Sequence, residues 1–151
     1  MKRTGIILLI SLLTVSIANG QSTLKEMEGI IAKAKWVQVA TDESDNPTFV
    51  DSVSMSRLQG AVLFSTKFEK RGTTVYSSHM GNCTTDVMLD GTGFAAYPSN
   101  PKQLVEVELE ERIKPGAKVE ELMANNKVKK GTVGYVLLDY VCKNAKLEKI
   151  D

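Results

Sequence analysis

The 151-residue sequence predicts an α+β fold, in which a mainly antiparallel β-sheet lies between helices near the two ends of the chain. Residues Leu104–Glu111, LVEVELEE, alternate apolar and mostly acidic side chains, the pattern of a strand with one buried and one solvated face. Apolar residues recur at helical spacing in Thr23–Lys35 and in Lys129–Asn144. Short turns between the β-rich segments favour antiparallel pairing, because a parallel crossover needs about a dozen residues or more.

The first twenty residues have the pattern of a secretory signal peptide. Lys2–Arg3 precede the apolar run Ile6–Ile17, and the small-x-small motif ANG follows. The motif predicts cleavage after Gly20, so that the mature chain begins at Gln21; cleavage after Ala18 is the alternative. The apolar run is shorter than the about 20 residues that span a bilayer, which favours cleavage over a retained membrane anchor. We therefore expect an exported protein, periplasmic, secreted or at the cell surface, with no membrane span after cleavage.

The middle of the chain predicts strands joined by turns. The β-rich runs WVQVAT, TFVDSV, AVLFSTKF and TTVYSSHMGNC occupy Trp36–Thr41, Thr48–Val53, Ala61–Phe68 and Thr73–Cys83. In the strand at residues 104–111, Val105, Val107 and Leu109 are expected to face the core. The expected organisation is a signal peptide at 1–20, a linker or helix at 21–35, one domain at 36–144 and a tail at 145–151.

Two further segments receive less definite predictions. The residues between Cys83 and Lys102 fit one long strand with a glycine bulge, or two short strands joined by a turn at Asp90–Gly91. A short helical turn is expected around Val119–Met123, after the Pro and Gly at positions 115 and 116.

The two cysteines, Cys83 and Cys142, are expected to form a disulfide. Outside the cytoplasm two thiols in a small domain normally pair, and only one intramolecular pairing exists; an intermolecular bridge is the alternative. Strand alternation places Ser77, His79 and Gly81 on the face that carries Cys83. The bridge would then hold the C-terminal helix against this face, with the small residues Ser77 and Gly81 opposite Gly134 of the helix.

The sequence also resembles a known family. Lys35–Gly60 is similar to the opening of surface-adhesin protein E-like domains, with its Trp-Val strand, acidic turn and Ser-hydrophobic-x-Arg step. Gly131–Asn144, GTVGYVLLDYVCKN, resembles the closing helix of that family, whose cysteine pairs with one on a central strand. The resemblance implies a single antiparallel sheet of about six strands with the C-terminal helix on its concave face. It also implies a role in binding host matrix proteins.

Composition and motifs argue against an enzyme, a cofactor or a metal centre. The 19 basic and 18 acidic residues nearly balance, so no electrostatic case exists for nucleic acid. His79 is the only histidine, and no G-x-S-x-G motif surrounds Ser77 or Ser78. Asp86 and Asp90 could pair as acid and base, but nothing else converges on them in the sequence.

Two function hypotheses remain. The first is an exported, non-enzymatic domain that binds another macromolecule, a host or envelope protein, at an open sheet edge or on the face that the helix leaves free. The second is a small-ligand carrier or sensor whose pocket lies between sheet and helix, near His79 and Tyr135. A large apolar cavity would favour the carrier, whereas a filled core with an exposed aromatic or charged face would favour binding. Homodimerisation is left open.

Overall fold

The computed structural model describes residues 20–109, 116 and 118–147. Apart from Gly20, the predicted signal peptide lies outside the described residues, as do residues 110–115 and most of the predicted tail. Within the described residues the chain forms three helices and eight strands. In chain order they are α1 (Gly20–Lys33), β1 (Trp36–Thr41), β2 (Pro47–Asp51), β3 (Ser56–Leu58), β4 (Ala61–Lys70), β5 (Thr73–Asn82), β6 (Val87–Ala96), β7 (Leu104–Val107), α2 (Val119–Asn125), α3 (Val133–Asn144) and β8 (Lys146–Leu147).

The strands form one mainly antiparallel sheet, which confirms the predicted fold class. Its main order is β1-β2-β4-β5-β6-β7, and each neighbouring pair in it is antiparallel. The long strand β4 also pairs with β3, and β8 lies parallel to β3. The sequence analysis predicted neither β3 nor β8, because two or three residues are too few to show a periodic pattern.

The open question about the segment after Cys83 is resolved in favour of one long strand. β6 runs from Val87 to Ala96, and its register against β5 shifts between Ser77 and His79. Ser77 lies opposite Gly93 and His79 opposite Asp90, so β6 contains one extra residue there.

Helix α3 covers one face of the sheet and fills the space beneath it. Its buried residues Leu137, Leu138 and Val141 form a core with Val50, Val62 and Phe64 of the sheet. Gly81 is required at this interface because a Cβ added to it would lie 2.3 Å from Leu138 Cδ1. The predicted opposition of Ser77 and Gly81 to Gly134 is wrong. Gly134 lies instead beside Val128 and Met88, because the helix presents its middle, rather than its first turn, to Gly81.

The predicted intramolecular disulfide is present. Cys83 and Cys142 are bonded, with their Cα atoms 5.7 Å apart, and they are separated by 59 positions in the sequence. Cys83 lies in the turn after β5 and Cys142 in the last turns of α3. The bridge therefore holds the C-terminal part of the helix to the sheet, as expected.

Strand β7 differs from its prediction. It ends at Val107, and Val105 is 44% exposed rather than buried. Val105 pairs with Ala95 and therefore lies on the sheet face that carries α3. The helix, however, packs against β1 and β4, toward the other edge of the sheet, and does not cover Val105. Leu109, which follows the strand, does turn inward, and its side chain lies over Gly93.

The other face of the sheet is also partly buried. Leu89 and Phe94 point away from α3 and are 4% and 1% exposed. Met27 of α1 is 1% exposed, so the N-terminal helix is packed rather than surrounded by solvent. In the part of the chain that the structure describes, none of the helices has the length and apolar character needed to cross a membrane.

Candidate functional site

Four polar side chains meet on the face of the sheet that carries α3. His79 Nε2 lies 2.7 Å from Thr66 Oγ1 and 2.8 Å from Ser77 Oγ, and these two hydroxyl oxygens are 3.0 Å apart. On the other side of the ring, His79 Nδ1 lies 2.7 Å from Asp90 Oδ1. We call Thr66, Ser77, His79 and Asp90 the polar cluster. It joins three adjacent strands, β4, β5 and β6.

Local backbone geometry explains how the cluster forms. Thr66, Ser77 and His79 are brought together by the register of β4 against β5, in which Thr66 is opposite Ser77 and Phe64 is opposite His79. The bulge in β6 lies directly after Asp90, at Gly91, where a Cβ would come within 3.0 Å of the Ser78 carbonyl oxygen. The Phe64 ring stacks on the imidazole, with ring centroids 5.0 Å apart.

Counting hydrogens shows how these contacts can all be satisfied. If Nε2 of His79 carries a hydrogen, the two hydroxyl oxygens share it, and one hydroxyl donates to the other. If Nε2 carries none, both hydroxyls donate to the ring and the contact of 3.0 Å between Thr66 and Ser77 contains no hydrogen. The first arrangement places a hydrogen in each of the three contacts, whereas the second leaves one contact without a hydrogen.

The cluster has the connectivity of a nucleophile, a base and an orienting acid, since Ser77, His79 and Asp90 are linked in that order. The burial of the serine favours a structural role instead, because Ser77 is only 3% exposed and its hydroxyl is closed to a substrate. Of the two aspartates that the sequence offered as an acid and base pair, Asp90 contacts His79, whereas Asp86 lines a cavity beside the disulfide.

A small cavity lies beside the disulfide. It has a volume of about 60 Å³ and is lined by Cys83, Asp86, Tyr135, Leu138, Asp139 and Cys142. Tyr135 therefore lies at a cavity, but His79 is not among the lining residues, so this cavity does not bring the two predicted pocket residues together. A cavity of this size has room for water but is too small for a drug-sized ligand.

A second cluster lies on the face of the sheet opposite α3. The ammonium Nζ of Lys67 is 4.7 Å from the ring centroid of Phe49 and 5.6 Å from that of Trp36. Trp36 and Tyr76 have ring centroids 5.8 Å apart. We call Trp36, Phe49, Lys67 and Tyr76 the aromatic–lysine cluster. All four side chains are half-buried, so part of each reaches solvent.

The surroundings of the aromatic–lysine cluster shift one titration. Burial, with a smaller contribution from the charge of Glu69, raises the pKa of Tyr76 above its ordinary value of 10.0. The phenol therefore keeps its hydrogen at physiological pH and is available as a donor. Glu69 also forms an ion pair with Lys67, with 3.5 Å between Nζ and Oε1. The cluster thus combines apolar rings, a cation and a hydroxyl donor.

Sequence reasoning missed both clusters. Alternation does place Thr66 on the face of Val62 and Phe64, but register across strands is needed to bring His79 beside it. Lys67 gave no signal because a single lysine in a β-strand is common on a solvated face. Within the described residues, no three His, Cys, Asp or Glu side chains lie close enough together to hold a metal ion.

Comparisons of the chain with protein-family models, with curated proteins and with solved structures gave no match. The resemblance to surface-adhesin protein E-like domains therefore stays a prediction from the residues that carry it.

Proposed function

We propose that this chain is an exported, non-enzymatic domain that binds another protein through the aromatic–lysine cluster. Export is supported by the leader pattern of residues 1–20 and by the Cys83–Cys142 disulfide, a bond typical of oxidising compartments. The partner is a protein of the host or of the cell envelope. The adhesin role of the family that the sequence resembles is part of the same proposal.

One observation carries the proposal: the space between α3 and the sheet is filled, whereas the opposite face presents half-exposed aromatic rings around a cation. Val62 and Val141 are 0% exposed and Leu138 is 2% exposed, so the helix interface is closely packed. The cavity at Tyr135 is far smaller than the about 300 Å³ of a ligand pocket, which weighs against a carrier with its pocket there.

The composition of the cluster is that of protein-binding surfaces. Trp and Tyr supply most of the binding energy at many interfaces because they bury large areas with few rotatable bonds. Lys67 is held between the rings of Trp36 and Phe49, so little side-chain entropy remains to be lost on binding. A partner with an acidic or carbonyl-rich surface would suit the ammonium group and the phenol of Tyr76.

The test begins with the full chain expressed with its own leader and immobilised as bait. Proteins captured from host-matrix and envelope extracts are identified, purified and remeasured singly for binding. The Tyr76→Ala and Lys67→Glu variants should weaken that binding by about 2 kcal/mol each, or about 30-fold in Kd. Val136→Ala is the matched control, since Val136 is 40% exposed on α3, in the layer on the other face. Equal binding by all three variants, or no purified partner that binds, would overturn the proposal.

A further inference from the structure

The aromatic–lysine cluster has a carboxylate beside it. Glu69 follows Lys67 by two positions in β4, so alternation places the two side chains on the same face of the sheet. The Glu69 Oε1 atom lies 3.5 Å from the Lys67 Nζ atom. Burial raises the pKa of the Tyr76 phenol, and the charge of Glu69 adds to that effect. The carboxylate therefore lies near both polar groups of the cluster.

The ion pair between Glu69 and Lys67 is a loose one. Charge-assisted contacts between an ammonium and a carboxylate are usually about 2.7–2.9 Å long, and this contact of 3.5 Å is longer. The Glu69 side chain is 48% exposed, so water competes for its oxygens. Exposed ion pairs of this kind contribute little to stability. A second carboxylate can therefore displace Glu69 from the ammonium easily.

The two donors of the cluster, in contrast, are held in place. The Lys67 ammonium lies 4.7 Å from the centroid of Phe49 and 5.6 Å from that of Trp36, and its side chain is 19% exposed. Tyr76 lies directly opposite Lys67 in the register of β4 against β5. Side chains in such positions start about 5 Å apart. An ammonium and a phenol therefore lie side by side, next to a carboxylate that is easily moved.

The other carboxylate beside Trp36 is bound differently. Asp51 lies opposite Trp36 in the register of β1 against β2 and is 1% exposed. Its oxygens accept hydrogen bonds from three backbone N–H groups, at 2.8, 3.0 and 3.2 Å. Asp51 therefore holds the local backbone, whereas the contact of Glu69 with Lys67 leaves room for exchange.

We propose that Glu69 stands in for a carboxylate of the protein partner, and that an acidic side chain of the bound partner displaces it from Lys67. The incoming carboxylate accepts hydrogen bonds from the ammonium and from the Tyr76 hydroxyl, while apolar groups next to it cover the rings of Trp36 and Phe49. The inference rests on the proposed function, to which it adds the chemistry of the partner. Glu69 also makes the site selective, because a neutral side chain cannot replace the charge that Lys67 would lose.

The experiment is a titration of the full chain, expressed with its own leader, followed by the fluorescence of Trp36, its single tryptophan. The probes are two capped peptides, one with a glutamate between two leucines and one with glutamine in place of the glutamate. The glutamate peptide should bind with a Kd on the order of 1 mM. Its binding should be about fivefold tighter than that of the glutamine peptide, because charged hydrogen bonds are the stronger ones.

Three variants test the part played by each charge. Glu69→Gln should tighten binding of the glutamate peptide about three- to fivefold, because the competing carboxylate is gone. Glu121→Gln, the same change in net charge at an exposed position of α2, is the matched control and should leave the Kd unchanged. Lys67→Met keeps most of the apolar stem without the cation, so this variant should bind both peptides equally. Circular dichroism checks that each variant is folded.

Several results would overturn the inference. Equal or absent binding of the two peptides by the wild type would do so, as would a Glu69→Gln variant that binds no more tightly than Glu121→Gln. Tighter binding of a glucuronate oligosaccharide than of the glutamate peptide would assign the site to an acidic polysaccharide instead. If Tyr76→Ala and Lys67→Glu weaken binding of the captured partner but Glu69→Gln does not strengthen it, the proposed function stands and this inference is wrong. If no purified partner binds, the proposed function is wrong, and the peptide titration still decides whether Glu69 competes with a carboxylate.

Discussion

A single methyl group at Gly81 should reveal how tightly α3 is packed on the sheet. In Gly81→Ala the new Cβ would lie 2.3 Å from Leu138 Cδ1 and 3.1 Å from Val62 Cγ2. Carbon atoms in contact normally stay about 3.5–4.0 Å apart, so the Leu138 methyl must move by more than about 1 Å. It has no free space, because Leu138 is 2% and Val62 0% exposed. Overpacking of this kind costs about 1–3 kcal/mol in the free energy of unfolding.

Urea unfolding, followed by circular dichroism and by the fluorescence of Trp36, measures this cost. Gly60→Ala is the matched control, since a Cβ there meets no atom within 4 Å. Leu138→Ala alone should cost about 2–5 kcal/mol through the cavity it leaves. The double variant Gly81→Ala, Leu138→Ala should be more stable than the sum of the two changes predicts, by about 1 kcal/mol or more, because the new methyl fills part of that cavity. Strict additivity, or an effect no larger than that of Gly60→Ala, would refute the packing we describe.

Three further predictions concern the bridge, the aromatic face and the polar cluster. Replacing Cys83 and Cys142 together by Ala should lower the free energy of unfolding by about 4 kcal/mol, because the bridge spans 59 residues; an unchanged urea midpoint would contradict this. Burial raises the pKa of Tyr76 above 10.0. The stability contributed by the protonated Tyr76 phenol is therefore present below pH 10 and is lost as the pH rises through the raised pKa. Tyr76→Phe should therefore unfold less readily than wild type under alkaline conditions, and tyrosinate absorbance should show one phenol fewer titrating late. Ser77→Ala should lower the free energy of unfolding by about 1–2 kcal/mol, because its buried partners lose a hydrogen bond. The wild-type serine should also resist labelling by a fluorophosphonate, and rapid labelling at Ser77 would contradict the structural role.

The sequence predicts those parts of the fold that leave a periodic signal. β1, β4 and β5 begin at their predicted residues, since alternation over six or more residues is hard to mistake. The terminal helix has its N-cap at Thr132, whose hydroxyl accepts a hydrogen bond from the Tyr135 N–H. The disulfide followed from the number of cysteines and the leader pattern rather than from any detail of packing.

What the sequence could not supply depends on register between distant strands. The polar cluster needs the bulge in β6 to bring Asp90 to His79. The position of that bulge could not be predicted from the nearby glycines in the sequence. The position of α3 along the sheet also differs from the prediction by about one helical turn, so that Leu138 rather than Gly134 lies opposite Gly81. Val105 was expected to be buried from alternation alone, but alternation identifies a face and does not say how far the covering helix extends.

The pairing of β8 with β3 has a consequence for when the protein can fold. The side chains that complete the core, Leu137, Leu138 and Val141, are synthesised after every strand of the main sheet, and β8 follows them. β3 pairs at once with β4, but its second partner, β8, lies 90 positions later in the chain. Until those residues emerge, the helix-facing side of the sheet lacks its cover. Folding is therefore expected to be completed only when synthesis has nearly ended. The Cys83–Cys142 bond likewise can form only after Cys142, close to the end of the chain, has been made.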